Sequence, residues 1–303
     1  MLRFLKLAIV AIPLLTIMAI VPSIRLGILS LLGRSEPCSF AQSVDSFHVL
    51  KDRAERMEAI RSASHLLRSE GNFEQWNTRD GDYWIPKRNR ETLFENLAEQ
   101  EQDLYGNGVT GVRSGDVVLD AGANIGVYTR KALQSGAKLV IAIEPAPENV
   151  ESLRRNFAAE IAADRVRIEA VGVWDSPGEL SLNIDPDTST RNGFVGTFGA
   201  VESTVKVPVV TIDSLVARNN LAKVDFIKLD IEGAEKRALS GSANVLLQFR
   251  PRLAIATEHL DDDAAAIPAL IHARYPGYKL VCGPCIDMKT FARPDAIYFV
   301  PDR

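Results

Sequence analysis

Three stretches of this 303-residue chain place acidic side chains and glycines where they could do chemistry. The first runs Asp120-Ala121-Gly122-Ala123-Asn124-Ile125-Gly126, between an apolar run at Val117-Val118-Leu119 and a helical pattern from about Val127 to Gln134. Gly122 and Gly126 let a backbone approach a ligand closely at a helix N-terminus. The second stretch ends in Ile143-Glu144-Pro145, with Glu144 standing 22 residues after Gly122. From that position a carboxylate accepts hydrogen bonds from both hydroxyls of a ribose. A dinucleotide fingerprint would read G-x-G-x-x-G, with a third glycine where pyrophosphate sits on the turn. Here the third glycine is missing, and Asp120 stands at the strand end. A carboxylate there repels pyrophosphate but suits an ammonium or sulfonium, so the turn reads as a seat for an adenosine carrying positive charge.

The third stretch is Ile227-Lys228-Leu229-Asp230-Ile231-Glu232-Gly233, with Glu258-His259 at the end of a later apolar run. Ligands of open α/β sheets sit beyond the carboxyl ends of the strands, where Asp230, Glu232, Glu258 and His259 fall. Period-2 geometry puts Lys228 and Asp230 on one strand face. A lysine inside a central strand needs a carboxylate partner, and Asp230 or Glu258 would serve. Asp230 is assigned to orient a cofactor or substrate, and Glu232 or His259 to take a proton from a hydroxyl. Two alternatives stay open. Asp230 and Glu232 could hold a divalent cation through oxygen ligands, although no metal is assigned. Otherwise Glu232 is a first-turn helix carboxylate and His259 a capping or surface residue.

From Gly115 onward, short apolar strands alternate with amphipathic helices around these groups. That alternation marks an α/β doubly wound sheet. Strands are expected at Asp116–Asp120, Lys138–Glu144, Val166–Val171, Glu179–Ile184, Thr204–Val210, Val224–Asp230, Arg252–His259, Tyr278–Val281 and Ala296–Val300. A Gly-, Ser- and Thr-rich loop from Asp185 to Ala200 is long for a compact domain and reads as a lid or a mobile segment. In their order, Asp120 to Gly126, Ile143-Glu144-Pro145, Thr211-Ile212-Asp213-Ser214-Leu215 and Ile227 to Glu235 resemble the motifs of FkbM-type S-adenosylmethionine-dependent methyltransferases. The resemblance runs from about Gly115 to Val300. It implies a Rossmann-like seven-stranded sheet with helices on both faces and an antiparallel last strand. It also implies S-adenosylmethionine as cofactor and transfer to a hydroxyl oxygen, the expected acceptor being a glycan, lipid-linked or small-molecule substrate. By resemblance, Asp120, Gly122 and Asn124, in one turn with Ala123 and Gly126, would hold the methionine part of the cofactor, and Glu144 the ribose. The third strand, ending at Val171, would offer backbone near the adenine, without the polar residue usual there.

The remainder of the chain frames this domain. A hydrophobic share of 46% excludes global disorder, and a net charge of -4 offers no basic surface for nucleic acid. Leu7 to Ile24 carries no charge, and eighteen helical residues span about 27 Å, near a bilayer core of about 30 Å. An uncleaved single-pass anchor is expected there, since the small residues at Ser39-Phe40-Ala41 lie far beyond it for signal cleavage. Flanking charges leave its orientation open, and cofactor supply places the catalytic domain on the cytoplasmic side. The expected division is thus anchor and linker at 1–40, a charged helical lead-in at 41–112, and the methyltransferase domain at 113–303. Within the lead-in, Leu50, Ala54, Met57, Ile60 and Ala63 mark an amphipathic helix. Its Trp76, Tyr83 and Trp84 either line a substrate mouth or pack against the domain behind. Cys38 reads as a lone thiol. Cys282-Gly283-Pro284-Cys285 has the spacing of a redox pair, but it follows a late strand and reads as a turn with incidental thiols. The competing classes are a thiol-redox protein using Cys282 and Cys285, a non-catalytic nucleoside-binding protein, and a nicotinamide-dependent dehydrogenase. The oligomeric state is not fixed by any of these features.

Overall fold

The computed structural model describes residues 21–195, 201 and 203–302. The described chain opens with α1 (Pro22–Leu31) and α2 (Phe40–Ala63). Ser39 caps α2: its hydroxyl accepts from the Gln42 amide while the Gln42 side chain accepts from the Ser39 amide, which satisfies two orphan donors. With 10 residues, α1 is about 15 Å long, half a bilayer core. No helix among the described residues is long and apolar enough to cross a membrane. The expected single-pass anchor is therefore not supported, and residues 7–20 of it lie outside the described residues. The apolar stretch after Arg25 has a protein surface to cover instead. Arg25 pairs with the Asp287 carboxylate, and Leu26 and Leu29 pack with Phe47 and Ala292.

A disulfide between Cys38 and Cys285, 247 residues apart, fastens this N-terminal arm to the end of the chain. Cys38 is thus not a lone thiol, and Cys285 is not paired with Cys282, which remains free. Disulfides persist in oxidising surroundings, which runs against the expected cytoplasmic side.

Between α2 and α3 (Arg90–Glu101) the expected helical lead-in instead contains a three-stranded antiparallel sheet. Its strands are β1 (His65–Glu70), β2 (Phe73–Thr78) and β3 (Gly81–Pro86). Gly71-Asn72 and Arg79-Asp80 are its two-residue hairpin turns. Tyr83 is buried with Ile60, Phe94 and Ile125, and Trp76 meets Phe94 edge-on. Trp84, also buried, lies under the guanidinium groups of Arg68 and Arg155. These aromatics pack against the domain rather than lining a mouth.

From β4 (Val117–Ala121) strands and helices alternate through α4 (Val127–Gln134), β5 (Leu139–Ile143), α5 (Pro147–Asn156), α6 (Ala158–Ala162) and β6 (Val166–Glu169). A side sheet of order β7-β9-β8 follows, from β7 (Gly172–Val173), β8 (Gly178–Ile184) and β9 (Ser203–Val210). Next come α7 (Ile212–Arg218), β10 (Phe226–Leu229), α8 (Glu235–Ser240), α9 (Ala243–Phe249), β11 (Arg252–Ala256) and α10 (Asp263–Arg274). The chain ends with β12 (Tyr278–Cys282), the hairpin β13 (Cys285–Asp287) and β14 (Ala292–Pro294), and β15 (Ala296–Pro301). The central sheet has seven strands in the order β12-β15-β11-β10-β4-β5-β6. Only β15 runs antiparallel to its neighbours, as the sequence reading expects.

Every residue of β4, β5, β10 and β11 is buried, which is why these strands read as unbroken apolar runs. Their residues alternate between two cores. Leu119, Ile141, Ile227 and Leu253 face α7 to α10, while Val118, Val140, Phe226 and Ala254 face α4 and Phe157. Asp120 and Lys228 stand in register on adjacent strands, on the second of these faces.

Candidate active site

A cavity opens beyond the carboxyl ends of β4, β5 and β10, lined by Gly122, Asn124, Glu144, Val171, Asp230 and Glu232 among others. Its floor is the turn after β4. The amides of Gly122 and Ala123 both donate to the Ile143 carbonyl, which ties that turn to the end of β5. Gly122 has a φ of +78°, and a Cβ there would meet the Asp230 carbonyl oxygen at 1.8 Å. Gly126 has a φ of +95°, and its Cβ would meet Phe157 at 2.2 Å. The two glycines thus let β10 and α5 close on the turn; Gly126 itself is not part of the cavity wall. Asn124 also adopts a left-handed φ, of 50°, and its amide donates to Glu144 Oε2 at 2.9 Å.

Glu144 is anchored from three sides. Besides Asn124, the Ala146 amide donates to Oε1 at 2.9 Å and the Asn149 side chain at 3.4 Å. Burial nevertheless pushes its carboxyl up to about 7, against the pull of the Ala146 and Asn124 amides. A network continues outward: Asn89 reaches Asn149 at 3.2 Å and the Ser189 hydroxyl at 2.6 Å, and Ser189 donates to Asn124 at 3.2 Å. Ser189, Asn192, Gly193 and Phe194 bring the first part of the 185–200 loop onto the cavity, while residues 196–200 lie outside the described residues.

Asp120 is not on the cavity wall. It is fully buried, accepts from the Thr129 hydroxyl at 2.6 Å, and stands 3.3 Å from Lys228 Nζ. Lys228 meets Asp230 at 3.4 Å and donates to the Gly122 carbonyl at 2.9 Å. Among the described residues the carboxylate partners of the strand lysine are therefore Asp120 and Asp230, not Glu258. Burial opposes the ammonium, but the two aspartates outweigh it and hold its pKa above the usual value. For Asp230, burial works against ionisation, yet Lys228, His259 and the Tyr105 hydroxyl, at 2.7 Å, keep its carboxyl below the ordinary range.

Among the described residues, His259 faces the carboxylates of Asp230, Glu232, Glu235 and Glu258. Nδ1 lies 3.0 Å from Glu235, and Nε2 lies 3.4 Å from Glu232, 3.6 Å from Asp230 and 3.6 Å from Glu258. Burial favours the neutral ring, but Glu258 and Glu235 prevail and hold His259 as an imidazolium well above its usual pKa. Burial raises Glu232, and it pushes Glu258 up to about 8. Glu232 is held at a left-handed φ of 55° as the chain leaves β10.

Of the residues singled out in the sequence, Gly122, Ala123, Asn124, Glu144, Val171, Lys228, Asp230 and Glu232 share this cavity, with His259 packed behind Asp230 and Glu232. Tyr105, Asn96, Glu99, Ser189 and Glu235 escaped sequence reasoning. The first three come from the lead-in segment, whose spacing signals only a helix. Glu235 lay inside a quoted motif without an assigned duty.

The methyltransferase FkbM domain model matches residues 120–280, just over half of the chain. Among curated relatives, the 31-O-demethyl-FK506 methyltransferase FkbM of Streptomyces tacrolimicus is 28% identical, across 43% of this chain and 60% of that one. The hexuronic acid methyltransferase AglP of Haloferax volcanii is 29% identical, across 48% of this chain and 58% of that one. The chain thus spans about three fifths of the length of these relatives. Among solved structures, the methyltransferase FkbM of Methylobacillus flagellatus KT aligns over 69% of this chain and 54% of that one, at 18% identity and a TM-score of 0.44. With the family model spanning the β4 turn, Glu144 and the whole Asp230 region, this chain belongs to the FkbM methyltransferase family.

Proposed function

We propose that this chain is an O-methyltransferase that uses S-adenosylmethionine, the cofactor of its family, to methylate a hydroxyl of a glycan or small molecule. The observation that carries the reading is the convergence of the Gly122–Asn124 turn, Glu144 and the Asp230–Glu232 pair on one cavity. The donor set fits the cofactor. Glu144 offers a carboxylate to ribose hydroxyls, and Val171 with Gly172 offers backbone and apolar surface beside a base. Lys228, Asp120 and Asp230 together leave one net negative charge beside the turn, which favours a cationic centre. When bound, the cofactor supplies a sulfonium methyl whose C–S bond breaks as a C–O bond forms to the acceptor, leaving a neutral thioether.

The chain's own residues do the rest. Asp120 acts only through Lys228, whose ammonium it holds. Asp230, fixed by Tyr105 and Lys228, orients what enters the cavity. Glu232 receives the acceptor's hydroxyl proton, and its raised pKa makes it the stronger base for that task. His259 already carries a proton and cannot accept one, so it positions Glu232 rather than serving as base. The names of two relatives, one for a 31-O-demethyl compound and one for a hexuronic acid, support an oxygen acceptor. Residues 113–303 are taken as the methyl-transfer domain, and the segment 41–112 completes its cavity wall through Asn96, Glu99 and Tyr105.

The test is incubation of the full chain with methyl-labelled cofactor and a panel of uronic acids, neutral sugars and polyhydroxylated small molecules. The reading expects a labelled methyl ether, with the rate cut by roughly 10²–10⁴-fold in Glu232→Gln. Label found on nitrogen or carbon would contradict the oxygen assignment, and a Glu232→Gln rate equal to wild type would remove Glu232 as base.

A further inference from the structure

A single proton acceptor does not account for the group around His259, where anionic oxygens outnumber what one imidazole requires. One ligand atom each from Asp230, Glu232 and His259 falls within 4.8 Å of the others. Glu232 Oε1 and Asp230 Oδ1 stand 3.4 and 3.6 Å from Nε2, at or past the limit of a good hydrogen bond. Such separations are what a shared cation sets: ligand atoms at bond lengths of about 2.0–2.2 Å stand roughly 2.8–3.6 Å apart at octahedral to tetrahedral angles. The other ring nitrogen supplies an independent sign. Glu235, fully buried, holds Nδ1 at 3.0 Å and so turns Nε2 toward the two carboxylates. A carboxylate behind the imidazole is how metal-binding histidines are oriented. Glu235 Oε1 is itself fixed by the Ile231 amide at 2.8 Å, while its Oε2 is buried with no hydrogen-bond partner among the described residues.

We propose that Asp230, Glu232 and His259 form a divalent-cation site at the cavity wall, oriented by Glu235, in which the cation displaces the Nε2 proton that the imidazolium otherwise carries. One imidazole with two carboxylates suits a first-row transition ion such as manganese, iron or zinc better than calcium, which takes oxygen ligands. Asp230 binds with Oδ1, because Oδ2 is occupied by the Tyr105 hydroxyl and Lys228. The open coordination positions face the cavity that Asp230 and Glu232 line. In the proposed reaction, on which this role rests, the acceptor hydroxyl coordinates the cation, which weakens its O–H bond. Glu232, now a ligand, no longer takes the proton. The C–S bond still breaks as the C–O bond forms, and the hydroxyl proton leaves to water through the cavity.

Binding is tested apart from activity. The full chain, stripped with a chelator and desalted, is titrated with Mn²⁺ alone while the free-ion paramagnetic resonance signal is followed, with Zn²⁺ and Mg²⁺ as competitors. S-adenosylmethionine affinity is measured by calorimetry on the same samples. The proposal expects one Mn²⁺ per chain, loss of binding in His259→Ala, and about a 10–100-fold weaker Kd in Glu235→Gln. Cofactor affinity stays near wild type in Glu235→Gln, which also reports that this variant is folded. A chain that binds the cofactor but none of the three ions overturns the cation site and leaves methyl transfer standing with Glu232 as base. Equal Mn²⁺ binding by wild type and both variants places the ion elsewhere and overturns the site too. Mn²⁺ bound through these residues by a chain that ignores the cofactor keeps the cation site and removes the methyltransferase reading.

Discussion

Glu144 carries the most specific claim at the scale of single residues. Its carboxyl titrates at about 7 because burial costs the anion more than two amides and Asn149 return. A carboxylate raised in this way contributes stability below its unfolded value of about 4, and that contribution is lost as pH rises through about 7. Ribose hydroxyls donating to the anion reverse the balance. Cofactor binding near pH 7 should therefore release a proton, seen as binding heats that vary with the buffer's ionisation enthalpy, and Glu144→Gln should abolish that dependence. Lys228 gives a second expectation. Lys228→Met leaves Asp120 buried without its counter-charge, and breaking a buried pair costs about 3–5 kcal/mol. Denaturant unfolding should register that loss, and Asp120→Asn added to Lys228→Met should recover part of it. The acidic residue at the strand end was legible in the sequence, but its direction was not. Whether Asp120 meets the ligand or Lys228 depends on the pairing of β4 with β10, and register between distant strands leaves no local trace.

Elements explain which parts of the fold could be read beforehand. The parallel strands of the central sheet are buried on both faces, so their composition announces them. The three-stranded sheet of the lead-in was missed because β1 is exposed along its whole length and is rich in polar residues, so neither face alternates. Its turn at Gly71-Asn72 was visible, and a two-residue hairpin was the available clue. The long-range disulfide has no sequence signal, since the nearer Cys282 competes for the same reading. Gly126 marks where element packing is least forgiving. Gly126→Ala forces a side chain onto a positive φ and against Phe157 and Leu153, so α4 can no longer seat on the sheet. Its cost should exceed about 1 kcal/mol in equilibrium unfolding, whereas Gly178→Ala, which meets nothing, should stay within about 0.5 kcal/mol.

For the whole molecule, the cavity wall is assembled from distant parts of the chain. Tyr105 comes from the lead-in, Ser189 and Phe194 from the loop after β8, and Glu144, Asp230 and Glu232 from strand ends. The N-terminal arm is bound to the same body by Arg53 with Asp295, Arg25 with Asp287, and Cys38 with Cys285. Peptide mapping without reduction should recover Cys38 and Cys285 in one linked species and Cys282 as a free thiol. Reduction should then lower the melting temperature, because a closed loop of 247 residues constrains the unfolded chain strongly. Linkage of Cys282 to Cys285 instead would restore the redox reading of that turn. Calorimetric titration of S-adenosylmethionine and of NADH into wild type and Glu144→Ala decides whether the β4 turn and Glu144 hold the cofactor. Micromolar binding of S-adenosylmethionine is expected, at least about tenfold weaker in the variant, with none of NADH. Absence of S-adenosylmethionine binding to a folded chain, or binding that ignores Glu144→Ala, would contradict it.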